Sequence, residues 1–244
     1  MNTIDIIVPT YGCHHYTKDF INTVYCNQWE LNNVRIILIE NKLDEAFDFS
    51  IDCLNKPIII RNQHEKSHTE SYNQGLSVAI ESKTPYIVFS HNDILLPNNC
   101  LEFLTKIVDK YKCFVSPIAP HGSDNSVLQR YNQMTNRNID NIYDAPTLTP
   151  QFCMTSIENW RKLEGFDNGF KLHMADCDLF IRCRKVGIRI LNSNDINAHH
   201  YGGGTIRSRY PVYNDIFDDN AHWKHKYGRD WTLNWNNEAY EWPK

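Results

Sequence analysis

The 244-residue chain carries 25 Lys and Arg against 29 Asp and Glu, a formal net charge of −4, which leaves no basic surplus for nucleic acid and sets the length of one large or two small domains. Its eight cysteines form no CxxC pair, and no apolar run reaches the ~20 residues of a membrane span, which argues against zinc ribbons, disulfide scaffolds and spanning proteins. With free thiols expected and no signal peptide legible, the chain reads as cytoplasmic.

Residues 4–8 are a short β-rich run stopped at Pro9-Thr10-Tyr11-Gly12. Periodicity predicts a helix over 17–28 with Phe20, Ile21, Val24 and Tyr25 on one face. Strands follow at 34–39, which ends on Glu40-Asn41, and at 58–60, with a helix over 44–54 between them. A helix over 69–81 leads to the uncharged strand 86–89, and another covers 99–111. This alternation predicts an α/β fold, a parallel sheet with helices on its faces. A strand is expected at 113–118, whereas 119–150, rich in Asn, Asp, Pro and Gly, reads as irregular. Beyond it lie a strand at 152–154, a helix entered through a Thr155-x-x-Glu158 capping box, a turn-rich link at 165–170, a helix over 174–186 and a strand at 188–191. A glycine-loosened loop at 199–205 and a helix over 215–227 complete the chain.

Strand 86–89 runs into Ser90-His91-Asn92-Asp93 at its carboxyl end, where open α/β sheets bind ligands. These oxygen and nitrogen donors suit Mn²⁺ or Mg²⁺, although a plain polar turn has the same composition. Asp176 and Asp178 open a predicted helix, where acids cap the N-terminus or one of them serves as a general base. Trp223 and Trp231 are residues that either stack on a sugar ring or pack against the core.

In chain order, Ile7-Val8-Pro9-Thr10-Tyr11, Glu40-Asn41, the Ser71-Tyr72-Asn73-Gln74-Gly75 turn, His91-Asn92-Asp93, Gly165-Phe166-Asp167, Asp176-Cys177-Asp178-Leu179 and His200-x-x-Gly-x-Thr205 resemble a GT-A glycosyltransferase of family 2. The resemblance runs from about Ile4 to Thr205. It implies a GT-A fold, a Rossmann-like, mostly parallel sheet with helices on both faces. It also implies a nucleotide-diphosphate sugar donor, a divalent cation (Mn²⁺ or Mg²⁺) on the diphosphate, and inverting transfer to a hydroxyl of a glycan, lipid-linked or protein acceptor. Pro9, Thr10, Tyr11 and Glu40 are then expected around base and ribose, with Asn73, Asn92 and Arg207 (or Arg209) contributing to donor binding. Asp93 and His200 are the expected metal ligands, with His199 as competitor by one position, and Asp176 is the expected base.

Two residues depart from the family pattern. His91 stands where the family has an acid; it reads as a third ligand favouring Mn²⁺, as a neutral donor to phosphate, or as the mark of a site without metal. Ala175 replaces a Glu, and together these departures motivate the rival reading of a nucleotide-sugar-binding protein without catalysis. A nucleotidyltransferase would want a Gly-rich basic loop after the first strand, and the first basic residue there is Lys18. Residues 1–210 are assigned to the GT-A domain and 211–244 to a helical extension packed on it.

Overall fold

A computed structural model describes residues 3–27, 33–41, 56–119, 125–134, 136–145, 151–202 and 215–231. Strand β1 (Ile4–Thr10) leads through helix α1 (His14–Asn27) to β2 (Val34–Glu40) and β3 (Ile58–Arg61), and α2 (His68–Glu81) leads to β4 (Tyr86–Ser90). The short β5 (Ile94–Leu95) and α3 (Cys100–Tyr111) precede β6 (Phe114–Ile118), α4 (Asn125–Asn132) and β7 (Ile142–Asp144). The chain continues through β8 (Phe152–Ser156), α5 (Ile157–Leu163), α6 (Ala175–Lys185), β9 (Ile190–Asn197), β10 (His199–His200) and α7 (Asp215–Tyr227).

Among the described residues eight of these strands form a sheet of order β3-β2-β1-β4-β8-β6-β9-β7, and β5 and β10 form a separate two-stranded sheet. The neighbours β3, β2, β1 and β4 are parallel, β8 runs against both β4 and β6, and β7 runs against β9. Successive residues of a strand face opposite sides, so a strand covered on both sides is apolar throughout. In β1, Ile6 and Val8 pack with α1 and α3 residues such as Phe20 and Leu104, while Ile7 packs on the other side with Tyr72, Leu76 and Trp160 of α2 and α5. Each such side chain taken from water contributes roughly 1.5–3 kcal/mol, so the two cores hold the layers together.

Several boundaries differ from expectation. Helix α1 begins three residues early, because Cys13 takes a left-handed φ of +51° and its carbonyl accepts from the Tyr16 N–H at 3.1 Å. The capping box expected at Thr155 is absent: β8 runs through Thr155, and Ser156 caps α5 by accepting from the Asn159 N–H. A reciprocal box does occur at Ser67 and Glu70, at the start of α2. The Ser71–Gly75 motif is helical rather than a turn. Gly75 is needed there for close approach, since a Cβ would stand 2.3 Å from Ile7 Cγ2 of β1. Helix α4 and strand β7 lie inside the segment that lacks periodicity; β7 is a partly exposed edge strand, so no apolar alternation marks it. The helix expected at 44–54 falls outside the described residues. Of the two tail tryptophans, Trp223, itself a residue of α7, is buried in the core and Trp231 is packed against that core.

Candidate active site

The strand ends assemble the site. After β4 the chain bends at His91, whose N–H donates to the Gln151 carbonyl at 2.8 Å, and β5 then pairs antiparallel with β10 in the register His200↔Ile94. The Tyr201 N–H donates to the Asp93 carbonyl at 3.0 Å, which fixes the two segments at the place where the side chains meet. His200 Nε2 lies 3.2 Å and His91 Nδ1 3.8 Å from Asp93 Oδ1. One ligand atom from each of these three residues falls within 4.8 Å of the others. Consecutive strand residues diverge, and His199 accordingly turns its ring edge-on to Tyr201, 4.6 Å between centroids. The structure therefore brings His91, Asp93 and His200 together and leaves His199 out.

Two imidazoles and a carboxylate form a donor set that fits a divalent transition ion such as Mn²⁺ better than the all-oxygen set preferred by Mg²⁺. Asp93 and His200 are buried, and His91 is partly exposed. Asp93, His200 and His91 are the residues that would hold such an ion.

A cavity of about 200 Å³ opens next to His91 and is lined also by His68, Tyr72, Phe166, His173, Met174 and Asp176. The His68 ring stands 5.6 Å from that of His91 and 4.6 Å from that of Tyr72. Burial, with the neighbouring His91 and His173, lowers its pKa to about 3, so His68 is neutral at physiological pH. Burial raises the Asp176 carboxyl above its ordinary pKa, against the pull of the Cys177 and Asp176 N–H groups at the start of α6. Met174, in a left-handed conformation with φ +59°, ends the preceding segment and opens this helix.

Asp178 faces away from the cavity. Fully buried, it accepts from Arg182 Nε at 2.8 Å and Tyr227 Oη at 2.6 Å, and pairs with Lys226 Nζ at 2.5 Å.

On the other side of β4, Thr10 is in register with Glu40, and Glu40 with Arg61. Pro9, Thr10 and Glu40 are thus neighbours at the carboxyl ends of β1 and β2, with Tyr11 half-buried beside them. Glu40 is 3% exposed and accepts from Arg61 Nε at 2.8 Å. Asn41 donates to Ser71 Oγ at 2.8 Å and accepts from Asn62 at 2.7 Å, linking β2 to α2.

The remaining expected donor residues sit elsewhere. The Asn73 amide donates to the Phe166 carbonyl and Asn168 and accepts from the Phe166 N–H, so it shapes the 165–168 turn. Gly165, at φ +89°, is pressed against it: a Cβ would lie 2.6 Å from Asn73 Oδ1. Asn92 is buried and donates to Thr17 Oγ1 of α1 at 3.0 Å. Arg207 and Arg209 lie outside the described residues. The sequence reading missed His68 and His173; the Ser67-x-x-Glu70 box would have located His68 at a helix entry facing the strand ends.

The family model described as Glycosyl transferase family 2 matches residues 5–186. No curated protein matches the chain. Among solved structures 524 chains match. One is the crystal structure of S. aureus TarS 1–349, with a TM-score of 0.60 and 11% identity over 91% of this chain and 72% of that one. At that identity the likeness establishes the GT-A fold alone.

Proposed function

Since the chain belongs to glycosyl transferase family 2 and is a glycosyltransferase, we propose that it moves a sugar from a nucleotide-diphosphate donor to an acceptor hydroxyl with inversion, supported by a divalent cation. The observation that carries this is the shared wall: His91 belongs both to the His91–Asp93–His200 group and to the cavity that holds Asp176.

In this reading Pro9, Thr10, Tyr11 and Glu40 receive the base and ribose, Glu40 accepting from a ribose hydroxyl or a base N–H. Asp93, His200 and His91 hold the cation, Mn²⁺ before Mg²⁺, and the cation when bound offsets the charge of the diphosphate leaving group. Asp176 takes the proton of the acceptor hydroxyl as that oxygen attacks the anomeric carbon, and the bond to the nucleoside diphosphate breaks on the opposite side. Its raised pKa makes it a stronger base than an ordinary carboxylate. Tyr72 and Phe166, whose rings stack at 5.1 Å, give the cavity an apolar floor of the kind that pyranose rings cover.

Among the described residues no helix is long and apolar enough to cross a membrane. The free cysteines, most of them buried, fit a reducing compartment, and the cytoplasm is the location we infer. Glycans, lipid-linked sugars and proteins are the acceptor classes to test.

The test is a thermal-shift screen of nucleotide sugars with and without Mn²⁺, followed by transfer assays with the donor that raises Tm. Stabilisation by one nucleotide family that disappears with chelator is expected, with product formed at the opposite anomeric configuration. Equal donor affinity with and without chelator would remove the metal from the reading, and binding without turnover would leave a nucleotide-sugar-binding protein.

A further inference from the structure

The wall of the cavity is held from the C-terminal helix. Asp219 of α7 is completely buried, and its carboxylate accepts from three consecutive backbone N–H groups: Lys171 at 2.6 Å, Leu172 at 3.0 Å and His173 at 2.6 Å. A carboxylate cradled by successive amides behaves as an anion in a backbone nest, with directional, charge-assisted bonds. The same segment is gripped from α2, where the His68 N–H donates to the Lys171 carbonyl at 2.9 Å and Thr69 Oγ1 to the Phe170 carbonyl at 2.5 Å. Helix α7 also reaches the flanking pieces: Lys226 and His222 contact Asp167 at 2.6 and 3.1 Å, and Tyr227 contacts Asp178. Leu172 and His173 of this bonded segment line the cavity themselves, and Met174 and Asp176 of the lining follow directly.

We infer that Asp219 is a positioning residue for the acceptor side of the site, fixing the 171–173 backbone so that Asp176 faces the cavity. This rests on the reading of Asp176 as base given above. A wall carried by an irregular segment needs such a tie, because a displacement of about 1 Å at a reacting group can cost on the order of 10²-fold in rate. The expected nucleotide half of the site lies on β1 and β2, whereas Asp219 is bonded to the 171–173 backbone, so the two halves separate experimentally.

Asp219→Asn preserves shape but sets an amide where a bare carboxylate met three donors. With the donor and acceptor found by the screen, kcat for transfer should fall about tenfold or more, while the Kd of the matching nucleoside diphosphate with Mn²⁺, by calorimetry, stays within twofold. Tyr227→Phe, on the same helix, loses its bond to Asp178 and leaves the 171–173 cradle intact; it should lower Tm yet keep transfer within twofold. Transfer by Asp219→Asn within twofold of wild type, or equal losses in the two variants, overturns the inference. If Asp219→Asn does not fold, Asp219→Glu moves the carboxylate by one methylene and is read on the same scale, a threefold loss of kcat at unchanged Kd supporting the tie and a loss under twofold removing it. Failure of the base reading shows separately as normal transfer by Asp176→Asn; Asp219 then keeps its positioning role only if its own variant still divides transfer from nucleotide binding.

Discussion

His200 Nε2 stands 3.2 Å from Asp93 Oδ1 although 107 residues separate them. The contact exists because β10 pairs with β5 immediately after the strand that delivers Asp93, so each imidazole of the group arrives on a backbone already fixed by main-chain bonds. That rigidity is what a metal site on strand ends requires.

The first prediction follows from this pairing. Asp93→Ala and His200→Ala should each weaken Mn²⁺-dependent donor binding tenfold or more, measured by calorimetry. His199→Ala, whose ring lies against Tyr201 rather than Asp93, should change it less than threefold. Equal losses in His199→Ala and His200→Ala would place the ligand wrongly.

Glu40 supplies the second. It sits at the end of β2 beside Thr10, 3% exposed, with Arg61 on one carboxylate oxygen. Glu40→Gln should lower the affinity for the nucleoside diphosphate about as much as for the nucleotide sugar, since the expected contact is with base or ribose. Arg61→Ala serves as the control for the lost ion pair, which at a half-exposed arginine contributes about 0–1 kcal/mol. If the variant alters preference among sugars and not nucleotide affinity, Glu40 does not face the nucleoside.

Much of the fold is readable in the sequence because both sheet faces are covered, so β1, β2 and β4 appear as mostly apolar runs, interrupted in β1 and β2 by Asp5 and Arg35, which pair with each other, and their helices as one-sided stripes. The site is readable only where a functional residue ends such a run, as Glu40 and Asp93 do. β10 is too short to show a period, and the Ser71–Gly75 motif hides a packing glycine inside a helix. Asn73 and Asn92, donor candidates by position, spend their amides on the 165–168 turn and on Thr17, partners that lie 95 residues and 75 residues away in the chain. No local pattern signals contacts of that kind. Asp219 was invisible for the same reason.

Gly75 gives a third prediction, about stability. A methyl group at this position meets Ile7 Cγ2 at 2.3 Å, where a central strand and a packed helix both resist movement. Gly75→Ala should therefore destabilise the protein by roughly 1–3 kcal/mol in spite of alanine's better helix propensity. Combined with Ile7→Ala it should cost less than the sum of the two single changes, since the methyl then meets no Cγ2, read as a double-mutant cycle in urea. A Gly75→Ala protein as stable as wild type would show that α2 can lift from β1 without cost.

The last prediction separates Asp176 from Asp178, two acids at the start of one helix that composition alone treats as equivalents. Two residues apart on a helix they point roughly 200° away from each other, and the structure shows the result: Asp176 lines the cavity, while Asp178 is buried among Arg182, Lys226 and Tyr227. Their effects on stability should have opposite signs. Burial raises the Asp176 carboxyl in the folded state, so the folded protein holds this proton more tightly than the unfolded chain, and stability is lost as pH rises from the unfolded pKa through the raised one. Above that window the charged Asp176 is a burden. Asp176→Asn should hence match or exceed wild-type Tm at neutral pH while transfer falls about 10²-fold or more with donor binding little changed. The acidic limb of the wild-type kcat profile, set by the same group, should lie above the ordinary carboxylate range. Asp178→Asn removes the charge that two cations and a phenol share, and should cost about 3 kcal/mol, somewhat eased because Lys226 keeps Asp167 and Arg182 keeps the Leu163 carbonyl. Thermal melts and single-turnover assays on the two variants decide it: near-normal transfer by Asp176→Asn, together with a folded but inactive Asp178→Asn, would move the base by half a turn of α6.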